Sequence, residues 1–160
     1  MALPHRWRFV WSVAAVALAG CASTSTGGTA PATTPSYLQQ YANAGSALDT
    51  ATTTWDQLGQ ALVAAGTNTI ANEEPIDASY ATALDAFATA LQAIEFPAPA
   101  KNDVHALVDA AGAVRNDLSG VASGVVSTSQ FVTDESNLQA AINVVQQELG
   151  LGSSTPIAGV

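Results

Sequence analysis

Few of the side chains able to do acid–base, nucleophilic or metal chemistry sit in a pattern that such chemistry requires. His105 lies one turn after Lys101 and one turn before Asp109, so the three share a helix face. With outside carboxylates that face could hold a metal ion, but stable sites use three or four ligands, and the row also reads as a solvated run of charges. The Glu-x-x-His pairs that build di-iron centres in helical bundles do not occur. Gly120-Val121-Ala122-Ser123-Gly124 lacks the spacing of a nucleophile elbow. Ala98 stands three residues before Lys101, where a Ser-x-x-Lys pair would need serine. Glycine patterns for phosphates or dinucleotides are also missing. Glu73, Glu74 and Asp77 gather hard oxygens suited to weak calcium binding, without the Asp-x-Asp-x-Asp-Gly spacing; the same acids suit the positive end of a helix. The expectation is a protein that is not an enzyme, with no catalytic residue, no metal and no cofactor. No ligand-binding residue is singled out.

The elements that carry these residues read as four helices. Pro35-Ser36-Tyr37-Leu38-Gln39 has the form of a capping box, with Ser36 as cap and Gln39 reaching back. Tyr41, Leu48, Trp55 and Leu62 recur every seven residues, as do Tyr37, Ala44, Ala51, Leu58 and Ala65. Together they form one seam on a helix of about 45 Å that Gly66 stops. The Thr52-Thr53-Thr54 run is its weak point, because β-branched residues lower helix propensity. Gly66 to Glu74 reads as a polar turn, and Pro75 suits the first position of a second helix with Asp77 near its positive end. Its stripe is Ile76, Tyr80, Leu84, Phe87, Leu91 and Ile94, ending near Phe96 before Pro97 and Pro99.

A third stripe runs through Val104, Leu107, Val108, Ala111, Val114, Leu118 and Val121, with Asn102 or a neighbour as cap. Gly112, Gly120 and Gly124 should fray its end. Phe131, Leu138, Ile142, Val145 and Leu149 form the fourth, capped by Ser129 or Thr133 and stopped by Gly150. Short connections between amphipathic helices favour an all-α, antiparallel up-and-down four-helix bundle over residues 36–150, with a loose tail at 151–160. Tyr37, Tyr41, Trp55, Tyr80 and Phe87 serve either as core or as the lining of an apolar ligand site between helices. Tyrosine hydroxyls need partners when buried, which places them near ends or edges.

Thirteen acidic residues face four Lys and Arg, a net charge of −9. Arg6 and Arg8 fall in the first twenty residues; the remainder keeps Lys101 and Arg115 against all thirteen acids, a net of −11. Nucleic-acid binding needs several cations per site, so no nucleic-acid partner is expected, and anionic lipid head groups are repelled as well. The one cysteine excludes an intrachain disulfide.

That cysteine has a different explanation. Residues 1–20 comprise a basic start with Arg6 and Arg8, an apolar run from Phe9 to Ala19 broken only by Ser12, and small residues before Cys21. This is the layout of an export signal, too short to span a bilayer comfortably. Leu18-Ala19-Gly20-Cys21 resembles the lipobox of bacterial lipoproteins. The resemblance covers the signal and its junction. It implies diacylglycerol on the Cys21 sulfur, cleavage before Cys21, and anchoring on the extracytoplasmic side of the cell membrane, made stable by two acyl chains. The bias towards Ala, Thr, Val and Gly is similar to lipoproteins of high-GC Gram-positive bacteria. Residues 21–35, rich in Ser, Thr, Gly and Pro, read as a flexible tether of about 20 Å, either a bare linker or one O-glycosylated at Thr24, Thr26, Thr29, Thr33 or Thr34. The expected function is a membrane-anchored, non-enzymatic envelope lipoprotein whose bundle contacts an envelope protein partner; the alternative is a carrier of lipid or another apolar molecule.

Overall fold

A computed structural model of the chain describes residues 36–123 and 125–152. Four α-helices run in sequence: α1 (Tyr37–Ala64), α2 (Ile70–Ala93), α3 (Lys101–Ser123) and α4 (Thr128–Glu148). The fold is all-α, and helices adjacent in sequence pack antiparallel against each other as an up-and-down bundle. The α1–α2 and α3–α4 turns therefore lie at one end, with Ser36 and the α2–α3 connection at the other. Between α1 and α4 the backbones do not come close; side chains bridge them. The expected export signal, with Leu18, Ala19, Gly20 and Cys21, the expected tether, the α3-end residue Gly124 and the residues from Ser153 on lie outside the described residues, as does the side chain of Val121.

Ser36 caps α1, accepting from the Gln39 backbone N–H at 3.2 Å. The Gln39 side chain does not reach back as the capping box implied; its amide donates to Asn43 Oδ1 instead. The threonine run does not break the helix. Thr50, Thr52 and Thr54 each turn a hydroxyl onto the carbonyl four residues earlier, which satisfies the hydroxyl without leaving the helix. Of the two seven-residue series, Tyr41, Leu48, Trp55 and Ala44 are buried, while Leu58 and Ala65 turn to solvent. Gly45, Thr52, Asp56 and Gly59 complete the buried face. Gly66, at φ +66°, closes α1 by letting the Thr67 N–H turn back to Leu62 O and its own N–H to Val63 O.

The second helix starts earlier than the sequence suggested. Pro75 is not its first residue; α2 begins at Ile70, with Pro75 inside it. Thr69 O receives the backbone N–H groups of Asn72 and Glu73, and the Asn72 side chain ties back to Thr67 O at 2.7 Å. These bonds build an initial turn from residues that looked like a polar loop. Glu73 thus occupies the first turn and Asp77 lies beyond it. At this position Pro75 removes one helical hydrogen bond and crowds the carbonyl of Ala71. Pro75→Ala is therefore expected to stabilise the protein by about 1 kcal/mol. The urea midpoint of the two proteins checks this; a helix beginning at Pro75 would give no gain, since proline is favoured there.

Every residue of the second stripe from Tyr80 to Ile94 is buried, and Ile76 is half-buried. The helix ends at Ala93, a little before Phe96, whose side chain is itself buried. A short 3-10 turn, Ala98–Ala100, then leads directly into α3, so no asparagine cap at Asn102 is required. α3 is not interrupted at Gly112 or Gly120. Gly120 matters for the next turn: Val125 and Val126 N–H groups both return to its carbonyl, and a Cβ there would collide with the Val126 side chain. Neither Ser129 nor Thr133 caps α4. Ser127 does, accepting from the Gln130 N–H at 3.2 Å, while Ser129 and Thr133 sit inside the helix. The C-terminal closure repeats that of α1, with the Leu151 N–H returned to Gln146 O. Leu151, grouped with the tail by sequence, packs against the core.

Candidate functional site

Two aromatic groups hold the bundle together at different heights. Near the Ser36 end, Tyr37 and Tyr41 meet Phe96 edge-on, with centroids 6.4 and 6.2 Å apart. Towards the two-turn end, Trp55 of α1 stacks on Tyr80 of α2 at 5.0 Å and leans on Phe131 of α4 at 6.0 Å. The expected aromatic stripe is thus largely core: Tyr41, Trp55, Tyr80 and Phe87 are all buried.

Polar groups surround the second aromatic group. Trp55 Nε1 donates to Asp77 Oδ1 at 2.7 Å, so the acid that the sequence placed at a helix start instead ties α2 to α1. The Thr52 hydroxyl donates to Leu48 O and lies 3.4 Å from Tyr80 Oη. Burial pushes the Tyr80 hydroxyl up to about 12; the Thr52 contact opposes this and the nearby Glu135 charge adds to it. Glu135 is itself buried on α4. Tyr41 lies near the Ser36 end, as expected of a tyrosine, but not with the partner its hydroxyl needs. Its ring is almost wholly buried, its Oη has no hydrogen-bond partner, and burial raises its pKa strongly. Tyr80 departs from the expectation of ends or edges, since it is buried in mid-helix.

Between α3 and α4 a second polar feature appears. Asp117 is buried beside Asp134, and its pKa is raised first by burial, then by sharing a hydrogen bond with Asp134 and by that neighbour's charge. Asp134 also accepts from Gln130 Nε2 at 2.7 Å and Asn137 Nδ2 at 3.3 Å. Two neighbouring carboxyls, one of them buried, are an acid–base device in principle.

The other residues with chemical potential stay apart. Lys101, His105 and Asp109 are exposed on α3, and no ion pair links them among the described residues. The ion pair seen there joins Arg115 to Asp85 at 3.2 Å, both half-exposed. Glu73, Glu74 and Asp77 lie along α2 and are not drawn into a ligand set; among the described residues no three His, Cys, Asp or Glu converge as a metal site would require. No described helix is long and apolar enough to cross a membrane. The buried polar residues Thr52, Asp56, Asp117, Glu135 and Gln146 were not foreseen from the sequence. The signal was there: Thr52 falls between Leu48 and Trp55, and Glu135 between Phe131 and Leu138, at helical spacing on the buried stripes. No protein-family model, curated protein or solved structure matches the chain.

Proposed function

We propose that the protein is a membrane-anchored envelope lipoprotein whose bundle is a non-enzymatic interaction module. The observation that carries the reading is the junction itself: a basic start, a short apolar run, and Leu18-Ala19-Gly20-Cys21 followed by a polar tether. Lipid on Cys21 would hold the bundle at the extracytoplasmic face while the tether leaves it free to meet a partner. Cys21→Ala is expected to block processing and abolish membrane retention, read by fractionation and intact mass. A mutant still cleaved and retained would overturn the anchor. Cross-linking of the anchored chain tests the interaction role, and recovery of the monomer alone would count against it.

A second reading, carriage of a lipid or other apolar molecule, draws on the Tyr41 hydroxyl and Gln146 Oε1, both buried without hydrogen-bond partners. A polar headgroup or hydroxylated ligand could satisfy such atoms. Native mass spectra that retain no added lipid, with unchanged Trp55 emission, would remove this reading.

A further inference from the structure

We propose that the seam between α1 and α4, near its Ser36 end, binds an uncharged single-chain lipid whose hydroxyl group sits between Tyr41 Oη and Gln146 Oε1. The proposal rests on the carriage reading and names its site and its ligand class.

Register brings the two side chains to one height. The Trp55–Phe131 contact fixes how α1 and α4 stand against each other. Tyr41 comes fourteen residues before Trp55 and Gln146 fifteen after Phe131, and the helices run antiparallel, so each lies about 21 to 22 Å from that contact towards the Ser36 end. Phe96, which Tyr41 meets edge-on, leads into the Ala98–Ala100 turn that packs on α4. Direction agrees with height. On α4, helical spacing turns Gln146 about 60° to one side of Phe131 and Asp134 about 60° to the other. Asp134 meets Asp117 of α3, so the Gln146 side is the one turned towards α1. On α1, Tyr41 lies only about 40° round from Trp55, on the core side and away from the exposed Leu58.

Tyr41 is 1% exposed and Gln146 6%, and neither Tyr41 Oη nor Gln146 Oε1 has a hydrogen-bond partner among the described residues. They therefore do not bond each other, although they face the same seam. Burial holds the proton on Tyr41, so its hydroxyl can donate, while Gln146 Oε1 can only accept. A single group that accepts from one and donates to the other is a hydroxyl. A carboxylate has no proton for Gln146, and no Lys or Arg on α1 or α4 would compensate its charge. The rest of the ligand is read from the walls. From this point to Trp55 the seam is bordered by Ala44, Leu48, Leu138 and Ile142, all buried, and the buried Gly45 adds no side chain where the two backbones stand apart. That path of about 21 Å exceeds the ~15 Å that one bilayer leaflet gives an acyl chain. An alkyl chain lies along it with its hydroxyl at the Tyr41 end.

The test titrates the full-length Cys21→Ala chain, which on the lipoprotein reading carries no acyl group of its own, with dodecanol and with dodecanoate at about pH 7. Native mass spectra should retain one dodecanol per chain, and the urea midpoint should rise with alcohol concentration. Dodecanoate should bind at least about tenfold more weakly. From octanol to dodecanol the affinity should rise about fourfold per added methylene, as burial of the chain along an apolar path requires. Tyr41→Phe and Gln146→Met should each weaken dodecanol binding about tenfold, yet leave the unliganded protein at least as stable, because each removes a buried polar atom that lacks a partner. Equal binding of dodecanoate, affinity indifferent to chain length, or a parent that binds no dodecanol would overturn the proposal; the last is the result expected if a water alone joins the two groups. Dodecanol binding unchanged in both variants would sink this site while sparing the carriage reading. Spectra that retain no alcohol, no carboxylate and no extracted membrane lipid would sink that reading as well.

Discussion

Trp55→Ala is expected to destabilise the protein by roughly 3–5 kcal/mol, a large share of what a domain of this size possesses. Trp55 is buried where three helices meet: it stacks on Tyr80, leans on Phe131 and donates a hydrogen bond to Asp77. Removing the indole opens a cavity between helices that are not held together there by close backbone packing, since α1 and α4 meet through side chains. The Asp77 carboxylate also loses a donor. Urea unfolding followed by far-ultraviolet circular dichroism measures the loss. Trp55→Phe keeps an aromatic ring but loses the Asp77 bond, and should cost about 1–2 kcal/mol. If alanine proves as mild as phenylalanine, the bridge between α1 and α4 does not depend on this side chain.

The second expected effect has the opposite sign. Asp117→Asn should raise stability at neutral pH by about 1–2 kcal/mol, because a buried carboxylate beside Asp134 is replaced by an amide that can donate to it. The pH dependence follows from the direction of the shift. Folding raises the Asp117 pKa above its ordinary 3.8, so the folded protein retains a proton that the unfolded chain has released. Stability from this group is fully present below about pH 4 and declines as pH rises through the folded-state value. The asparagine variant lacks that decline. Urea midpoints at about pH 3.5 and about pH 7 should therefore fall further for the parent than for Asp117→Asn. Parallel falls would mean that other acids of this strongly negative chain govern its pH response.

Both effects arise at positions where the sequence was only half legible. The apolar stripes were readable because helical spacing leaves little choice: Leu84, Phe87 and Leu91, or Leu138, Ile142 and Val145, can share a side only on a helix. Chain direction followed from the short connections. The start of α2 was hidden because proline at a first helical position is a common pattern, and nothing local announced that Thr69 O would collect the Asn72 and Glu73 donors. The α4 cap was misplaced although Ser127 and Gln130 have capping-box spacing, because Ser129 and Thr133 offered competing starts.

The polar interior was harder still. Asp117 stands three residues after Val114 and Gln146 four after Ile142, so periodicity alone puts them inside, whereas their chemistry argues for solvent. Only the arrangement of neighbouring helices decides between the two. For Asp117 the deciding neighbour is Asp134, which lies seventeen residues later on another helix. The first helix shows the reverse problem. Leu58 continued a seven-residue series and looked internal, yet it is exposed, because the buried face of α1 centres on Tyr41, Leu48, Thr52 and Trp55 and the series drifts off it.

The order of helix packing also sets how the protein should acquire its shape. Each close helix pair joins neighbours along the chain, so most native encounters need only a short loop to close, and such topologies fold quickly, on the order of milliseconds or less. The exception is the meeting of the first helix with the last, where Trp55 reaches Phe131 across most of the folded length. That junction should form late and part early, making it the hinge along which brief openings of the native protein begin.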